Sequence, residues 1–214
     1  MEKQMSVLVG KSAPDFTAKA VMPDDSIDEN FNLLNYLGIK KDASGKVTKK
    51  GKIGVLFFYP LDFTFVCPSE IIAFNNRIKE FKLRKTEVIG VSVDSHFTHL
   101  AWKNTPVAKG GIGNIQYPLV QDLNKAIAKS YGILLNDSVA LRGLYLIDPT
   151  GTVRHCIIND LPLGRNVDEA LRMVDAVQFS DTHGEVCPAN WKQGDEAMKP
   201  TAEGVASYLA KHAK

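Results

Sequence analysis

One strand-to-helix junction limits what this chain can fold into more than any other stretch. Ile53 to Phe58 is a continuous apolar run, typical of a strand buried on both faces of a sheet. Pro60 cannot donate to a sheet ladder, so the strand should end before it. Pro68 suits the first position of a helix, because its missing N–H would have no partner there. Apolar residues recur behind it at helical spacing, at Ile71, Phe74, Ile78 and Phe81.

Cys67 lies directly before this predicted helix, where free backbone N–H groups and the helix dipole favour a thiolate over a thiol. Thr64 precedes it by three residues and can direct its hydroxyl at the same point. The common fate of a lone cysteine is to be a small, inert, buried residue. The spacing of Pro60, Thr64 and Cys67 at a strand-to-helix junction favours the alternative. We therefore interpret Cys67 as a nucleophile.

The composition indicates one globular domain with an appended arm. The 214 residues are 44% hydrophobic and 23% charged, which is ordinary for a protein with a full core. A net charge of +2 is too small to predict binding to nucleic acid or to an anionic membrane. No apolar run reaches the length of a membrane span, and residues 1–10 lack the apolar core of a signal peptide. We therefore expect a cytoplasmic protein.

The cysteines indicate transient rather than structural use. Cys67, Cys156 and Cys187 are too few for a disulfide scaffold and odd in number. The chain has no C-x-x-C motif, which argues against a zinc site and against a dithiol redox motif. No metal or other cofactor is predicted. Cys156 lies in an alternating run and is interpreted as structural.

Strands and helices alternate along most of the chain. A second β-branched run from Glu87 to Asp94 follows the helix, so the two strands should form a right-handed βαβ unit with a parallel pair. Asp148 to Gly151 is a strong turn signal between two alternating runs, which predicts a hairpin. Ser95 can cap a helix from His96 to about Asn104, which Pro106 would end. Apolar spacing predicts an amphipathic helix at Val167 to Phe179. Together these features predict an α/β fold with a mixed sheet.

Four other segments are less regular. Val7 to Gly10 is expected to be a short strand, whereas Leu33 to Ile39 fits either helix or strand. Lys40 to Gly51 is polar and lysine-rich, which indicates an exposed loop or hairpin tip. From Ser180 onward the chain is rich in polar residues, glycine and proline, with a weak final helix from Ala202 to Lys211. We expect this arm to be mobile, or ordered by packing on another subunit.

Two motifs make the resemblance to a known family specific. Residues 60–68, PLDFTFVCP, and residues 183–189, HGEVCPA, closely resemble the typical 2-Cys peroxiredoxins, which include bacterial alkyl hydroperoxide reductase subunits and thioredoxin peroxidases. The resemblance runs from about Val7 to His212. It implies a thioredoxin-like fold with a mixed central sheet flanked by helices, in a peroxidase domain at 1–180 and a C-terminal arm at 181–214. It also implies thiol-dependent reduction of hydrogen peroxide and organic hydroperoxides.

The resemblance implies different roles for two of the cysteines. Cys67 would be the peroxidatic cysteine, oxidised by the hydroperoxide to a sulfenic acid. Cys187 would resolve it by forming a disulfide between the two chains of a homodimer, and such dimers would assemble into a decamer. Thioredoxin or a dedicated flavoprotein reductase would then reduce the disulfide.

The resemblance also assigns residues around the sulfur. Arg142 would lie beside Cys67 and polarise the peroxide, although by sequence alone it fits a surface cation. Thr64 would hydrogen-bond the peroxide and the thiolate, and Pro60 would shield the pocket from water. Glu70 would hold the arginine in place. Arg165 is a weaker candidate for the same network, for which a solvated loop arginine is the alternative.

A glycine-rich loop and the final helix bear on over-oxidation. Residues 110–113, GGIG, resemble the Gly-Gly-Leu-Gly loop of peroxide-sensitive members, and Tyr208-Leu209 stands where those members carry Tyr-Phe. Together they predict a covered site, slow unwinding and some tendency of Cys67 to reach sulfinic acid. The leucine weakens the expected cover.

Two histidines and two other functions are weaker candidates. His96 and His99 share a helix face, for which surface or capping roles are favoured over metal binding. The alternative function is a holdase chaperone or redox-relay protein that acts through its oligomeric surface. A thioredoxin-type disulfide reductase fits the fold, but the chain lacks the paired cysteines.

Overall fold

The structure is a computed structural model that describes residues 7–213. The chain forms two compact units, one that runs to Val167 and one that begins at Asp168. Within residues 7–213 the strands are β1 Thr17–Val21, β2 Ile27–Asn32, β3 Lys40–Lys41, β4 Val47–Lys49, β5 Ile53–Phe58, β6 Thr86–Ser92, β7 Leu119–Gln121, β8 Leu134–Leu135, β9 Val139–Ala140, β10 Arg142–Ile147 and β11 Val153–Asn159. The α-helices of the same residues are α1 Leu33–Leu37, α2 Cys67–Asn76, α3 Ile78–Leu83, α4 His96–Asn104, α5 Ala126–Ser130, α6 Val167–His183 and α7 Ala202–His212.

A seven-stranded mixed sheet is the centre of the first unit. Its strand order is β11-β10-β5-β6-β7-β1-β2. β5, β6 and β7 are parallel, whereas the other neighbours pair antiparallel. The predicted α/β class, the parallel pair and the hairpin around residues 148–151 are therefore confirmed.

The strand before Cys67 is buried on both faces, as its apolar run predicts. Every residue of β5 is buried. On one face Phe57 stacks on Phe74 of α2, with ring centroids 4.7 Å apart, and on the other Phe58 packs near Tyr131 and Tyr145. Burial of a phenylalanine stabilises a fold by roughly 1.5–3 kcal/mol. These contacts fix the junction between β5 and α2 on a rigid core.

The helix that follows Cys67 is divided in two, which the apolar spacing did not predict. At Arg77 the backbone leaves helical geometry, with φ −104° and ψ 9°, and α3 begins at the next residue. All four apolar residues of the predicted stripe are nevertheless buried. The spacing therefore predicted the buried face correctly, but not the break within it.

Several short elements differ from the sequence-based expectations. Val7 to Gly10 is a turn rather than a strand, with Gly10 at φ +82°. The ambiguous stretch from Leu33 forms helix α1, because the side chain of Asn32 accepts a hydrogen bond from the backbone of Asn35 and caps it. The lysine-rich segment forms the two-stranded hairpin β3–β4. Of the two structures expected for it, the hairpin is therefore confirmed.

The second unit consists of α6, an irregular segment and α7. α6 extends through His183, beyond the predicted end at Phe179. In the irregular segment the backbone N–H of Val186 donates to the carbonyl of Met198, and Met198 donates back. Trp191 is buried and packs 5.0 Å from Phe179 of α6, so the arm is attached to a helix of its own chain. No helix within residues 7–213 has the length and apolar character to cross a bilayer.

Candidate active site

Cys67 begins helix α2 and is completely buried. Val66 takes the N-cap position, and its side chain makes no capping hydrogen bond. The N-cap side chain therefore satisfies none of the backbone N–H groups of the first turn, of which that of Glu70 donates to the carbonyl of Val66. Pro68 lies in the first turn, as predicted. The sulfur thus lies at the positive end of a helix and away from bulk water.

Arg142 is the first residue of β10, the strand next to the edge strand β11, and it contacts Cys67 directly. Its Nη1 lies 3.4 Å from Cys67 Sγ and donates to it. The same nitrogen donates to Glu70 Oε2 at 2.7 Å, and Nε donates to the carbonyl of Leu161 at 2.6 Å. Arg142 is only 3% exposed, so it is not the surface cation that the sequence alone suggested. Its three contacts orient the guanidinium toward the sulfur.

Glu70 is shared between two arginines. Its Oε1 accepts from the backbone N–H and Nε of Arg165 at 2.8 and 2.7 Å, and its Oε2 accepts from Arg165 Nη2 at 2.9 Å. Burial raises the pKa of Glu70, but the hydrogen bonds and charge of Arg165 outweigh it, so the net pKa is lowered. Glu70 is therefore a carboxylate, and the cluster of two arginines and one carboxylate is net positive.

Arg165 is buried, so the alternative of a solvated loop arginine is wrong. Its Nη1 donates to the carbonyls of Phe58 and Gly143 at 2.8 and 2.6 Å. These carbonyls belong to the end of β5 and the start of β10. The guanidinium also lies 5.2 Å from the ring centroid of Phe57. Arg165 thus ties Glu70 to the two strands that flank the site.

Thr64 and Pro60 lie in the loop between β5 and α2. The hydroxyl of Thr64 donates to the carbonyl of Leu61 at 2.8 Å. Since a threonine hydroxyl has one proton, this oxygen can act only as an acceptor toward a further partner. Pro60 is buried and offers no backbone donor.

The other two cysteines have free thiols, as does Cys67. Cys187 is half-buried, and its Sγ donates to the carbonyl of Ala176 at 3.6 Å. Burial raises the pKa of Cys187, and the charge of Arg172 opposes this in part. Cys156 lies in β11 opposite Tyr145 and is half-buried. Within residues 7–213, no three His, Cys, Asp or Glu side chains converge as metal ligands.

A buried polar cluster beneath the loop was missed by the sequence analysis. Asp62 Oδ2 lies 2.7 Å from His99 Nδ1, and the Tyr59 hydroxyl donates to Asp62 Oδ1 at 2.9 Å. The backbone N–H of Asp62 donates to Asp94 Oδ2 at 2.8 Å. Burial raises the pKa of Asp62, although the hydrogen bond and charge of His99 oppose the shift.

The expected surface or capping role for the two α4 histidines is therefore wrong. His99 is fully buried and His96 is 5% exposed, with its ring nitrogen 2.7 Å from Gln121 Oε1. Asp62 and His99 are 37 residues apart, and no local spacing pattern links them. Only the pairing of β5 with β6 brings them together.

Comparisons with known proteins agree with this geometry. The model of the AhpC/TSA family matches residues 9–156, and that of the C-terminal domain of 1-Cys peroxiredoxin matches residues 176–211. The chain is 54% identical over 203 residues to alkyl hydroperoxide reductase C of Helicobacter pylori, covering 95% of this chain and 96% of that one. It is 51% identical over 205 residues to peroxiredoxin-2 of Mus musculus, with the same two coverages of 95% and 96%.

A solved structure gives the same result. The reduced 2-Cys peroxiredoxin of Plasmodium vivax superposes with a TM-score of 0.87 at 51% identity, covering 96% of this chain and 100% of that one. The fold is therefore thioredoxin-like, as the resemblance implied. The chain belongs to the AhpC/TSA family as a 2-Cys peroxiredoxin, which is a thiol peroxidase.

Proposed function

We propose that Cys67 is the peroxidatic cysteine and that it reduces hydrogen peroxide and organic hydroperoxides. The observation that carries the proposal is the 3.4 Å contact between Arg142 Nη1 and Cys67 Sγ at the start of a helix. A guanidinium stays charged and offers several donors in fixed geometry, so it can contact both the sulfur and a bound peroxide. A thiolate is the nucleophile that this chemistry needs.

In the first step the Cys67 thiolate attacks the terminal oxygen of the hydroperoxide. An S–O bond forms, the O–O bond breaks, and the alkoxide leaves as an alcohol once it has taken up a proton. Arg142 stabilises the charge that develops on the oxygens. Thr64 accepts a hydrogen bond from the peroxide, because its own proton is donated to Leu61.

The remaining site residues support this step without contacting the sulfur. Glu70 and Arg165 hold the Arg142 guanidinium in place through the shared carboxylate. Pro60 shields the pocket from water. Fixed donors of this kind need no reorganisation during the reaction, which is the main source of their catalytic effect.

In the second step Cys187 of the partner subunit resolves the Cys67 sulfenic acid. The sulfenic acid condenses with the thiol to give a disulfide and water. Thioredoxin or a dedicated flavoprotein reductase then returns both sulfurs to thiols. Residues 1–180 are then the peroxidase domain, and residues 181–214 are the arm that carries the resolving cysteine. The protein is a cytoplasmic homodimer that assembles into a decamer.

Over-oxidation follows from the same chemistry when resolution is slow. A second hydroperoxide converts the sulfenic acid to sulfinic acid. The resemblance of loop 110–113 and of Tyr208-Leu209 to peroxide-sensitive members supports slow unwinding of the Cys67 helix. Mass spectrometry under turnover should therefore find Cys67 with two added oxygens at high peroxide dose. If that species never forms, the proposed sensitivity is wrong.

Non-reducing gel electrophoresis after one equivalent of peroxide tests the assignment of both cysteines. The wild-type chain should give a band at dimer mass that a thiol reductant removes. Cys187→Ser and Cys67→Ser should each lose this band, whereas Cys156→Ser should keep it. A dimer band that persists in Cys187→Ser would contradict the proposed resolving role.

A holdase function remains the second candidate, and one surface feature favours it. Phe65 and Phe63 in the active-site loop are 97% and 52% exposed, so aromatic surface is available to a partner. Cys67→Ser separates the two functions. It should abolish peroxidase activity and leave any suppression of aggregation of a heated client protein intact.

A further inference from the structure

The turn that follows Cys187 is fastened to helix α6 by one side chain. Arg172 Nη1 donates to the backbone carbonyl of Trp191 at 2.8 Å. Its Nε and Nη2 donate to the two carboxylate oxygens of Glu169 at 2.6 and 2.7 Å. Glu169 lies one turn before Arg172 on the same helix, so this pair orients the guanidinium toward Trp191. We call Glu169, Arg172 and Trp191 the clasp.

Trp191 makes the clasp a rigid point of the arm. The residue is 3% exposed, and its ring lies 5.0 Å from that of Phe179. Its indole Nε1 donates to the carbonyl of Asp195 at 3.1 Å, and its backbone N–H donates to the carbonyl of Pro188 at 3.1 Å. The chain between Cys187 and Trp191 is therefore a closed turn whose far end is fixed by Arg172.

Cys187 is held on the same helix at the near end of this turn. Its thiol donates to the carbonyl of Ala176 at 3.6 Å, one turn beyond Arg172 on α6. Burial raises the pKa of Cys187, with Arg172 acting in the opposite direction, so the resting group is a protonated thiol. A disulfide sulfur carries no proton. The contact with Ala176 must therefore be lost when Cys187 reacts.

We propose that Arg172 is a positioning residue that retains Cys187 on α6 through the Trp191 carbonyl and thereby sets the rate of disulfide formation. This inference rests on the proposed resolving role of Cys187. In the step concerned, the Cys187 sulfur bonds to the Cys67 sulfur and the S–O bond of the sulfenic acid breaks. The hydroxyl leaves as water with the thiol proton. Cys187 is oxidised, the sulfenic sulfur is reduced, and no further reactant is required.

The clasp consequently influences how often Cys67 is over-oxidised. While Cys187 is retained, the sulfenic acid persists and can meet a second hydroperoxide. Release of the clasp shortens that lifetime. Arginine suits the position because its planar fork bridges a carboxylate and a carbonyl at once, which a lysine ammonium cannot do in fixed geometry.

Rapid-quench kinetics with intact-mass spectrometry separate the two chemical steps. In Arg172→Met, sulfenic acid formation on Cys67 should be unchanged, and disulfide formation should be faster by about tenfold, as expected for loss of one hydrogen bond from a charged donor. In Arg172→Lys the rate of disulfide formation should lie between those of wild type and Arg172→Met. The sulfinic product at a fixed peroxide dose should fall in the same order.

Arg77→Met is the matched control. Arg77, between α2 and α3, forms the same kind of ion pair with a glutamate three residues later, Glu80, and neither residue lies in the arm or in α6. The Arg77→Met variant should form the Cys67 sulfenic acid and the disulfide at the wild-type rates. A second readout is the rate at which a disulfide reagent modifies Cys187 when Cys67 and Cys156 are serine, and this rate should rise in Arg172→Met.

The experiments can tell a failure of the proposed role of Arg172 from a failure of the proposed resolving role of Cys187. Unchanged or slower disulfide formation in Arg172→Met and Arg172→Lys overturns the clasp, provided that Cys187→Ser still abolishes the second step. If Cys187→Ser retains the second step, the proposed resolving role fails instead. If Arg172→Met does not fold, Arg172→Lys tests the proposal instead. Disulfide formation and Cys187 modification that are no faster in Arg172→Lys than in wild type would then overturn it.

Discussion

Arg165 holds both carboxylate oxygens of Glu70, and Glu70 in turn holds the arginine that contacts Cys67. The contacts run from Arg165 to Glu70 at 2.7 Å, from Glu70 to Arg142 at 2.7 Å and from Arg142 to the sulfur at 3.4 Å. All of these side chains are buried. A change at Glu70 should therefore affect both the stability of the fold and the position of the reactive group.

Glu70→Gln should destabilise the protein by about 3 kcal/mol, because it leaves two buried guanidinium groups without their shared charge. Urea unfolding gives the measurement. Glu80→Gln, which removes the carboxylate of a partly exposed ion pair, is the control and should cost less than about 1 kcal/mol. If both variants lost the same free energy of unfolding, burial of the Glu70 cluster would not explain its contribution to stability.

The effect of Glu70 should depend on pH. Its pKa in the folded state is lowered from the ordinary value of 4.5, so its contribution is fully present above that pH and declines as the pH falls through the lowered pKa. The difference between wild type and Glu70→Gln should therefore shrink in acid. A difference that grows on acidification would mean that the sign of the shift is wrong.

Arg142→Met should lower the second-order rate of peroxide reduction by about 10²–10³, the usual effect of removing one electrostatic donor from an active site. The alkylation rate of Cys67 by iodoacetamide should fall as well, because the thiolate loses its partner. Arg142→Lys keeps the positive charge but loses the several N–H donors that the guanidinium holds in fixed geometry. If Arg142→Lys matches wild type, charge alone is sufficient and the geometric role is excluded.

His99→Phe should destabilise the protein because it leaves the Asp62 carboxylate buried without its partner. The loss is about 3–5 kcal/mol when one member of a buried pair is removed. Burial raises the pKa of Asp62 and His99 opposes this shift, so the pKa should rise further in His99→Phe. A carboxyl group with a raised pKa destabilises the folded state increasingly as the pH rises above the pKa of the unfolded state. The stability loss should accordingly be larger near neutral pH than in acid. The reverse order would show that the Asp62 charge is not the cause.

Gly111→Ala should destabilise the glycine-rich loop by about 3 kcal/mol through overpacking. A Cβ at this position would lie 1.8 Å from the carbonyl oxygen of Thr105, which is backbone and cannot turn aside. At Gly45 no atom lies within 4 Å of the added Cβ, so Gly45→Ala carries only the cost of its φ of +84°, about 1–2 kcal/mol. Thermal unfolding of the two variants checks this order.

The sequence predicted the elements around the reactive cysteine well because local patterns determine them. The apolar run of β5 and the proline after Cys67 specify a buried strand and a helix start without help from the rest of the chain. The bounds of α4, His96–Asn104, were also predicted, since a capping serine and a following proline limit the helix.

Long-range contacts were not predictable from spacing. Arg142 and Arg165 resemble surface cations in the sequence, and only the family resemblance identified them. Asp62 and His99 had no such support, because their pairing depends on the alignment of β5 with β6. Strands β1 and β2 were missed as well, since their short runs mix polar and apolar residues.

The lysine-rich hairpin β3–β4 offers a place for an affinity peptide. Its turn is closed by Asp42, whose carboxylate accepts from the backbone of Ser44 and Lys46, and it forms a two-stranded sheet of its own. Gly45 at its tip has free space around it. An affinity peptide inserted there would give a way to immobilise the protein that leaves the three native cysteines unmodified.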